Sequence, residues 1–193
     1  MLYIRSGYRQ TLPHLALFLY LSQLMQQQAP DVSVSLMTQH MNSKIVGQLI
    51  PIDFDPDFFY SNPYPIPYFD NKELKVGFIE AKHQTYLDAA DKVLEDFMGL
   101  SFVDRIKNSD IVYHYYSETL KYGYTKPLEV KTAQDIWNFV TPTEIIIHWD
   151  EEANFYLCVS CACEWEVEHG LQLVFANGQT LTRASGHDGH FTD

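Results

Sequence analysis

The sequence predicts an α+β domain, in which about three helices pack on one face of an antiparallel sheet. Three observations support this class. Segments after residue 144 have the alternating or continuous apolar character of four successive strands. The pair Asn177-Gly178, between the last two of these segments, is a strong signal for a tight hairpin. Between residues 84 and 140, apolar residues instead recur with the helical period.

The four C-terminal strands are expected to form a meander over residues 144–149, 155–165, 171–176 and 179–185. A two-residue turn at Asn177-Gly178 would place Phe175 opposite Thr180, Val174 opposite Leu181 and Leu173 opposite Thr182. The last strand would then end beside the start of the third.

One or two further strands are expected before the helices, at residues 45–50 and 74–78. Residues 51–70 are rich in Asp, Pro and aromatic residues. Because proline cannot donate a backbone hydrogen bond, we expect this part to be extended and without regular pairing.

Helix boundaries are marked by capping residues. Ser101 with Asp104, and Thr132 with Asp135, have the spacing of capping boxes. The first pair would start a helix that breaks near Asn108, and the second pair would open a short helix ending before residue 142.

Length and charge divide the chain into a single α+β domain at residues 41–193 and a helical appendage at residues 1–40. Thr11 is expected to cap a helix with Pro13 in its first turn, running to Gln28. The apolar run at residues 15–21 also imitates a signal peptide. Three interpretations stay open: a signal or anchor, a helix packed on the domain, or an appendage outside the native fold. A start of translation at Met37 or Met41 would agree with the last.

The charge is concentrated in the main domain. Residues 1–50 carry three basic and one acidic side chains, and residues 51–193 carry ten basic and twenty-four acidic ones. An acidic domain repels phosphate backbones, so nucleic acid is not an expected ligand. The apolar run is too short to span a bilayer, so no membrane partner is expected. The charge would attract a basic protein or a cation, or serve only solubility.

The three cysteines, Cys158, Cys161 and Cys163, do not have the spacing of a disulfide framework or a zinc knuckle. We expect buried free thiols, which indicates the reducing cytoplasm.

Polar side chains cluster in two bends near the C-terminus, and the hairpin would bring these bends together. Carboxylates and imidazoles of this kind can bind a divalent metal, act as acid and base, or bond to the backbone of their own turns. The candidate metal ligands are Glu166, Glu168, His169, Asp188 and His190, with His187 beside them. No other cofactor is expected.

A second group of carboxylates is the candidate contact surface for a basic partner. These residues are Asp53, Asp55, Asp57, Asp150, Glu151 and Glu152.

Several motifs resemble an uncharacterised bacterial family of domains of unknown function. They are a Pro-rich run at residues 61–74, a Trp-Glu-x-Glu-His-Gly motif at residues 165–170, and Asp-Gly-His at residues 188–190. The resemblance covers roughly residues 45–193. It implies a small cytosolic domain that stands alone, and it assigns no activity or catalytic residue. At the level of class, such domains are similar to the immunity proteins of bacterial toxin–immunity systems.

The leading expectation is therefore a cytoplasmic binding protein without catalytic activity, whose acidic surface captures a basic partner such as a toxin domain. One alternative is a metal-dependent hydrolase that uses the Glu, His and Asp cluster at one end of the sheet. Another is a housekeeping domain without a catalytic site.

Overall fold

The computed structural model describes residues 41–123 and 127–192. The predictions for the first forty residues lie outside this range. They are the helix from Thr11 to Gln28, the signal or appendage interpretations, and a start at Met37. The division at residue 41 therefore stays a prediction.

The described residues build one nine-stranded sheet. Its strands are β1 (Met41–Ser43), β2 (Gly47–Ile52), β3 (Asp55–Ser61), β4 (Tyr64–Ile66), β5 (Lys72–Phe78), β6 (Val140–Trp149), β7 (Phe155–Cys163), β8 (Leu171–Ala176) and β9 (Thr180–Ser185). They are ordered β1-β2-β3-β5-β6-β7-β8-β9, and β4 pairs with β5. Every pairing is antiparallel except the parallel pair β5–β6.

The α+β class is confirmed, but the N-terminal half of the sheet is larger than expected. Five strands precede the helices, where the sequence predicted one or two. The parallel pair was also not expected. It arises because the helices connect the end of β5 to the start of β6, and a long crossover connection of this kind allows two strands to run in the same direction.

The prediction that residues 51–70 lack regular pairing was wrong. β3 pairs with both β2 and β5, and β4 pairs with β5. Pro65 lies at the centre of β4, which pairs on one side only in the described part of the chain. Such a strand directs alternate N–H groups away from its partner, so proline is tolerated there.

Three α-helices follow β5 in the described ranges: α1 (Gln84–Met98), α2 (Phe102–Lys107) and α3 (Ser109–Lys121). Both predicted capping boxes are present, Ser101 with Asp104 and Thr132 with Asp135. The second one opens a 3-10 helix, Ala133–Phe139, and another 3-10 helix spans Pro67–Phe69. None of these described helices has the length and apolar content that crossing a bilayer requires.

A turn at Asn177-Gly178 between β8 and β9 is confirmed, but three residues, 177–179, separate the paired strands instead of the predicted two. Asn177 and Gly178 have φ angles of 49° and 73°, and Gln179 N donates to Ala176 O at 3.1 Å. Positive φ at both central positions matches the right-handed twist of a hairpin, which explains the Asn-Gly sequence.

The predicted register of this hairpin was wrong. Ala176 pairs with Thr180 and Phe175 with Leu181, not with the residues one position earlier. An irregularity between Val174 and Phe175 then shifts the register once more. The pairs predicted for Phe175–Thr180, Val174–Leu181 and Leu173–Thr182 are therefore absent, although β9 still ends beside the start of β8.

The core lies between the sheet and α1. Phe97 of α1 packs edge-on against Phe175 of β8, with ring centroids 4.9 Å apart. Gly178 of the hairpin turn also reaches α1, because a Cβ atom at this position would lie 2.0 Å from the carbonyl oxygen of Val93.

Gly178→Ala is therefore expected to destabilise the fold by roughly 2–4 kcal/mol, from overpacking against backbone and from the positive φ. Gly47→Ala is the matched control, since Gly47 has φ +75° but no atom within 4 Å of its would-be Cβ. It should lose only about 1–2 kcal/mol. Urea unfolding measures both variants, and equal losses would contradict the close approach to Val93.

Candidate functional site

One end of the sheet brings together the β2–β3 turn, the loop after β5 and the β6–β7 turn. Phe78 of β5 is level with Phe59 of antiparallel β3 and with Ile147 of parallel β6. The chain that follows Phe78 therefore lies beside the start of β3 and the end of β6. We call this region the acidic end, defined by Asp53, Asp55, Asp57, Glu80, Asp150, Glu151 and Glu152. It contains all six carboxylates predicted as a contact surface.

The β6–β7 turn is organised by Asp150. Its Oδ1 accepts from the backbone N–H groups of Glu152 and Asn154, both at 2.9 Å, and its Oδ2 accepts from the Asn154 side-chain amide at 2.9 Å. The Asn154 side chain is the main reason why the pKa of Asp150 lies below its ordinary value. With Asp150 holding the turn, Glu151 and Glu152 are exposed to solvent.

The β2–β3 turn presents an aromatic ring between carboxylates. Phe54 is 89% exposed and lies between exposed Asp53 and Asp55. Asp55 accepts from the backbone N–H of Asp57 at 3.0 Å, and the carboxylate of Asp57 lies 3.1 Å from Lys82 Nζ. The tip therefore offers an apolar ring and two carboxylates to solvent.

A tyrosine of α1 joins the ends of the two parallel strands. The Tyr86 hydroxyl donates to Ile147 O at 2.7 Å and accepts from Ile79 N at 3.1 Å. Its ring is fully buried and contacts the rings of Trp149 and Phe155. Burial raises the pKa of Tyr86, so the hydroxyl keeps its proton and both hydrogen bonds at physiological pH.

A cleft lies next to this tyrosine, because Trp149, whose ring contacts Tyr86, is one of its walls. It has a volume of about 370 Å³ and is lined by Glu80, Trp149, Asp150, Glu151 and Ala153. Trp149 Nε1 donates to Glu80 Oε1 at 3.1 Å, which fixes both side chains as walls of the cleft. The cleft thus combines an aromatic surface with carboxylates.

The first predicted metal-binding bend lies at the opposite end of the sheet, after β7. Glu166 Oε1 accepts from the backbone N–H groups of Glu168 and His169, both at 3.2 Å. The backbone of Glu166 also accepts from Gly170 N at 2.9 Å. Glu166 therefore caps its own turn, whereas Glu168 and His169 are exposed.

The two histidine-bearing bends meet, as the hairpin predicted. His187 N donates to His169 O at 3.1 Å. A Cβ atom at Gly170 would lie 2.7 Å from Cys161 O and 3.2 Å from the His187 ring, so the bends are in close contact.

Asp188 is held by Arg183. The guanidinium donates to both carboxylate oxygens, at 2.9 and 2.6 Å, and also to His190 O at 3.1 Å. The oxygen of His190 further accepts from Gln172 Nε2 at 2.8 Å. Arg183 is the main reason why the pKa of Asp188 falls to about 2. These contacts fasten the C-terminal segment to β8 and β9.

No group of three or more His, Cys, Asp or Glu side chains in residues 41–123 and 127–192 could hold a metal ion. Both bends instead use a carboxylate to bond their own backbone, which is typical of tight turns. The assignment of metal ligands gains no support and stays a prediction for Glu166, Glu168, His169, Asp188 and His190.

The cysteines are free and buried, as predicted. Burial raises the pKa of Cys158 to about 12 and that of Cys163 to about 11, and it also raises that of Cys161. All three thiols therefore stay protonated near neutral pH, the form that neither attacks a substrate nor binds metal well.

Four residues that shape the two ends of the sheet were not predicted from the sequence: Phe54, Glu80, Trp149 and Arg183. Phe54 carried a signal, since an aromatic residue between two aspartates rarely belongs to a core. Glu80 and Trp149 come together only because β5 and β6 are parallel neighbours. Recognising the helical crossover would have indicated that pairing.

The Asp188–Arg183 contact predicts a specific pH dependence. The folded pKa of about 2 lies below the ordinary value of 3.8, so the stabilisation is complete above about pH 5 and is lost as pH falls through about 2. Because the Asp188 side chain is 40% exposed, its size is at most about 1 kcal/mol. Asp188→Asn should remove this contribution to the pH dependence of the free energy of unfolding, measured by urea unfolding between pH 2 and 7. Glu168→Gln is the control, and an unchanged profile in Asp188→Asn would refute the contact.

Comparisons with known proteins place the domain in a family. No curated protein and no solved structure matches the chain. A family model described as a domain of unknown function, DUF6985, matches residues 48–191. This match covers most of the chain, including β3 to β9, both ends of the sheet and all three described helices. The chain therefore belongs to the DUF6985 family of domains of unknown function.

Proposed function

We propose that this DUF6985 protein is a binding protein without catalytic activity, which captures a basic protein partner at its acidic end. A toxin domain, neutralised in the bacterial cytoplasm, is the partner class we favour. One observation carries the proposal: six carboxylates from the β2–β3 hairpin and the β6–β7 turn lie at the same end of the sheet, namely Asp53, Asp55, Asp57, Asp150, Glu151 and Glu152. Converging like charges repel each other, and a basic surface relieves that repulsion.

Asp53, Glu151 and Glu152 are exposed to solvent, whereas Asp55 and Asp150 accept hydrogen bonds from the backbone of their own segments. Among the described residues, Asp57 is the one of the six that forms an ion pair with a basic side chain of the same chain. Each exposed ion pair contributes only about 0–1 kcal/mol, so recognition would depend on several contacts together. The exposed ring of Phe54 adds the apolar contact that tight interfaces require.

The opposite end of the sheet offers less to a substrate. Glu166 and Asp188 are committed to turn N–H groups and to Arg183. A hydrolase needs carboxylates or imidazoles that are free to bind metal or move protons in an open pocket. The contrast between the two ends therefore favours binding over metal-dependent hydrolysis.

The buried thiols are consistent with action in the cytoplasm. Cys158, Cys161 and Cys163 lie within six residues and are all unpaired. Reduced cysteines are stable in that compartment, whereas oxidising compartments favour disulfides.

Charge reversal tests the proposal. The partner to test is the protein encoded by the neighbouring reading frame, where a toxin partner would be encoded. Its binding should weaken by roughly 100-fold, since four exposed ion pairs are lost, in the variant Asp53→Lys, Asp55→Lys, Glu151→Lys, Glu152→Lys. Calorimetric titration at low and high salt measures this, and the wild-type affinity should fall as salt rises.

The control variant makes the same change in net charge at other exposed positions: Glu73→Lys, Glu129→Lys, Glu164→Lys and Glu168→Lys. It should keep most of the affinity. Equal weakening in both variants would indicate a general charge effect and contradict a defined surface. A wild-type chain that does not bind the neighbouring product would overturn the toxin–immunity form of the proposal.

A further inference from the structure

We infer that the cleft at the acidic end receives the guanidinium or ammonium group of an arginine or lysine side chain. The inference rests on the proposed function, because the partner would present this side chain. It assigns a position and a ligand class to what is otherwise a charged surface.

The position of the cleft is the first reason. It lies beyond the carboxyl ends of β5 and β6, the parallel pair of the sheet, where the Tyr86 hydroxyl bridges the two strands. In open α/β sheets, ligands bind in the crevice outside the carboxyl ends of the parallel strands, and this cleft has the same position relative to its one parallel pair. Its volume of about 370 Å³ is near the lower limit of ligand sites, which suits one side chain rather than a cofactor.

The side chains that line the cleft favour a cation as its ligand. The indole of Trp149 is partly exposed, and an aromatic face attracts guanidinium and ammonium groups. Glu80 uses Oε1 to accept from Trp149 Nε1, and its Oε2 forms no ion pair within residues 41–123 and 127–192, so this oxygen can face a ligand. Glu151 is exposed at the rim and has no ion-pair partner among the described residues. An anion would be repelled here, and a neutral ligand would leave the carboxylates unpaired.

A second feature points to a protein as the source of this cation. The tip of the β2–β3 turn carries Phe54, 89% exposed. Because β5 alone separates β3 from β6, these two strands lie roughly 10 Å apart, and the β2–β3 turn is beside the β6–β7 turn at the same end of the sheet. An aromatic anchor beside a pocket for a basic side chain matches the pairing of aromatic and arginine contacts at protein interfaces.

Indole NMR of the full-length protein tests the inference. The probe is Nα-acetyl-argininamide, and the signal is the Trp149 indole N–H, assigned with Trp149→Phe. We expect a saturable shift with a dissociation constant on the order of millimolar, as one side chain can provide. Nα-acetyl-citrullinamide has nearly the same shape without the charge and should cause no shift.

Two variants with the same charge change locate the site. Glu80→Gln keeps the oxygen that accepts from Trp149 and should weaken probe binding about fivefold. Glu73→Gln removes an exposed charge at the opposite end of β5, away from the cleft, and it should leave binding unchanged. Equal shifts with the citrulline probe, or equal weakening in both variants, would overturn the inference.

The outcome is separable from that of the proposed function. If charge reversal abolishes partner binding but Trp149 does not respond to the arginine probe, the acidic end acts without the cleft and this inference is wrong. If the probe binds but no basic partner does, the cleft is a cation site and the proposed function is wrong.

Discussion

The hydroxyl group of Tyr86 is the contact on which the candidate site depends. It satisfies the Ile79 N–H just after β5 and the Ile147 carbonyl in β6, so one buried side chain ties together the ends of the two parallel strands. A buried polar group without a partner costs about 1–3 kcal/mol. Glu80 and Trp149 follow these two backbone groups within two residues, and the same contact therefore sets the position of the cleft.

The two ends of the sheet use carboxylates in different ways. Glu166 and Asp188 accept hydrogen bonds within their own turns, and Arg183 balances the charge of Asp188. At the acidic end, Asp150 alone organises the turn, and this leaves Glu151 and its neighbour exposed. Free charge on a rigid turn is suited to recognition, because little side-chain or loop ordering remains to oppose binding.

Local signals predicted local structure well. Asn177-Gly178 predicted its turn because the required positive φ angles depend on those two residues alone. The predicted register of the same hairpin was wrong because β9 starts at Thr180, one residue later than a two-residue turn requires, and the bulge beside Val174 adds a second shift that depends on packing between strands. Likewise, two bends were correctly expected to meet, but the partner of Asp188 was missed, because Arg183 reaches it only through the fold. Contacts between distant segments, such as Glu80 with Trp149, require the parallel pairing of β5 and β6.

Amide hydrogen exchange at Ile79 tests the central role of Tyr86 most directly. Ile79 lies outside β5, so its N–H depends on the tyrosine hydroxyl as acceptor. We expect this amide to be protected from exchange in the wild-type protein. Tyr86→Phe should lower its protection factor by at least about tenfold relative to the amides of β7, which corresponds to about 1.4 kcal/mol. Fast exchange of Ile79 in the wild-type protein, or unchanged protection in Tyr86→Phe, would contradict this role of Tyr86.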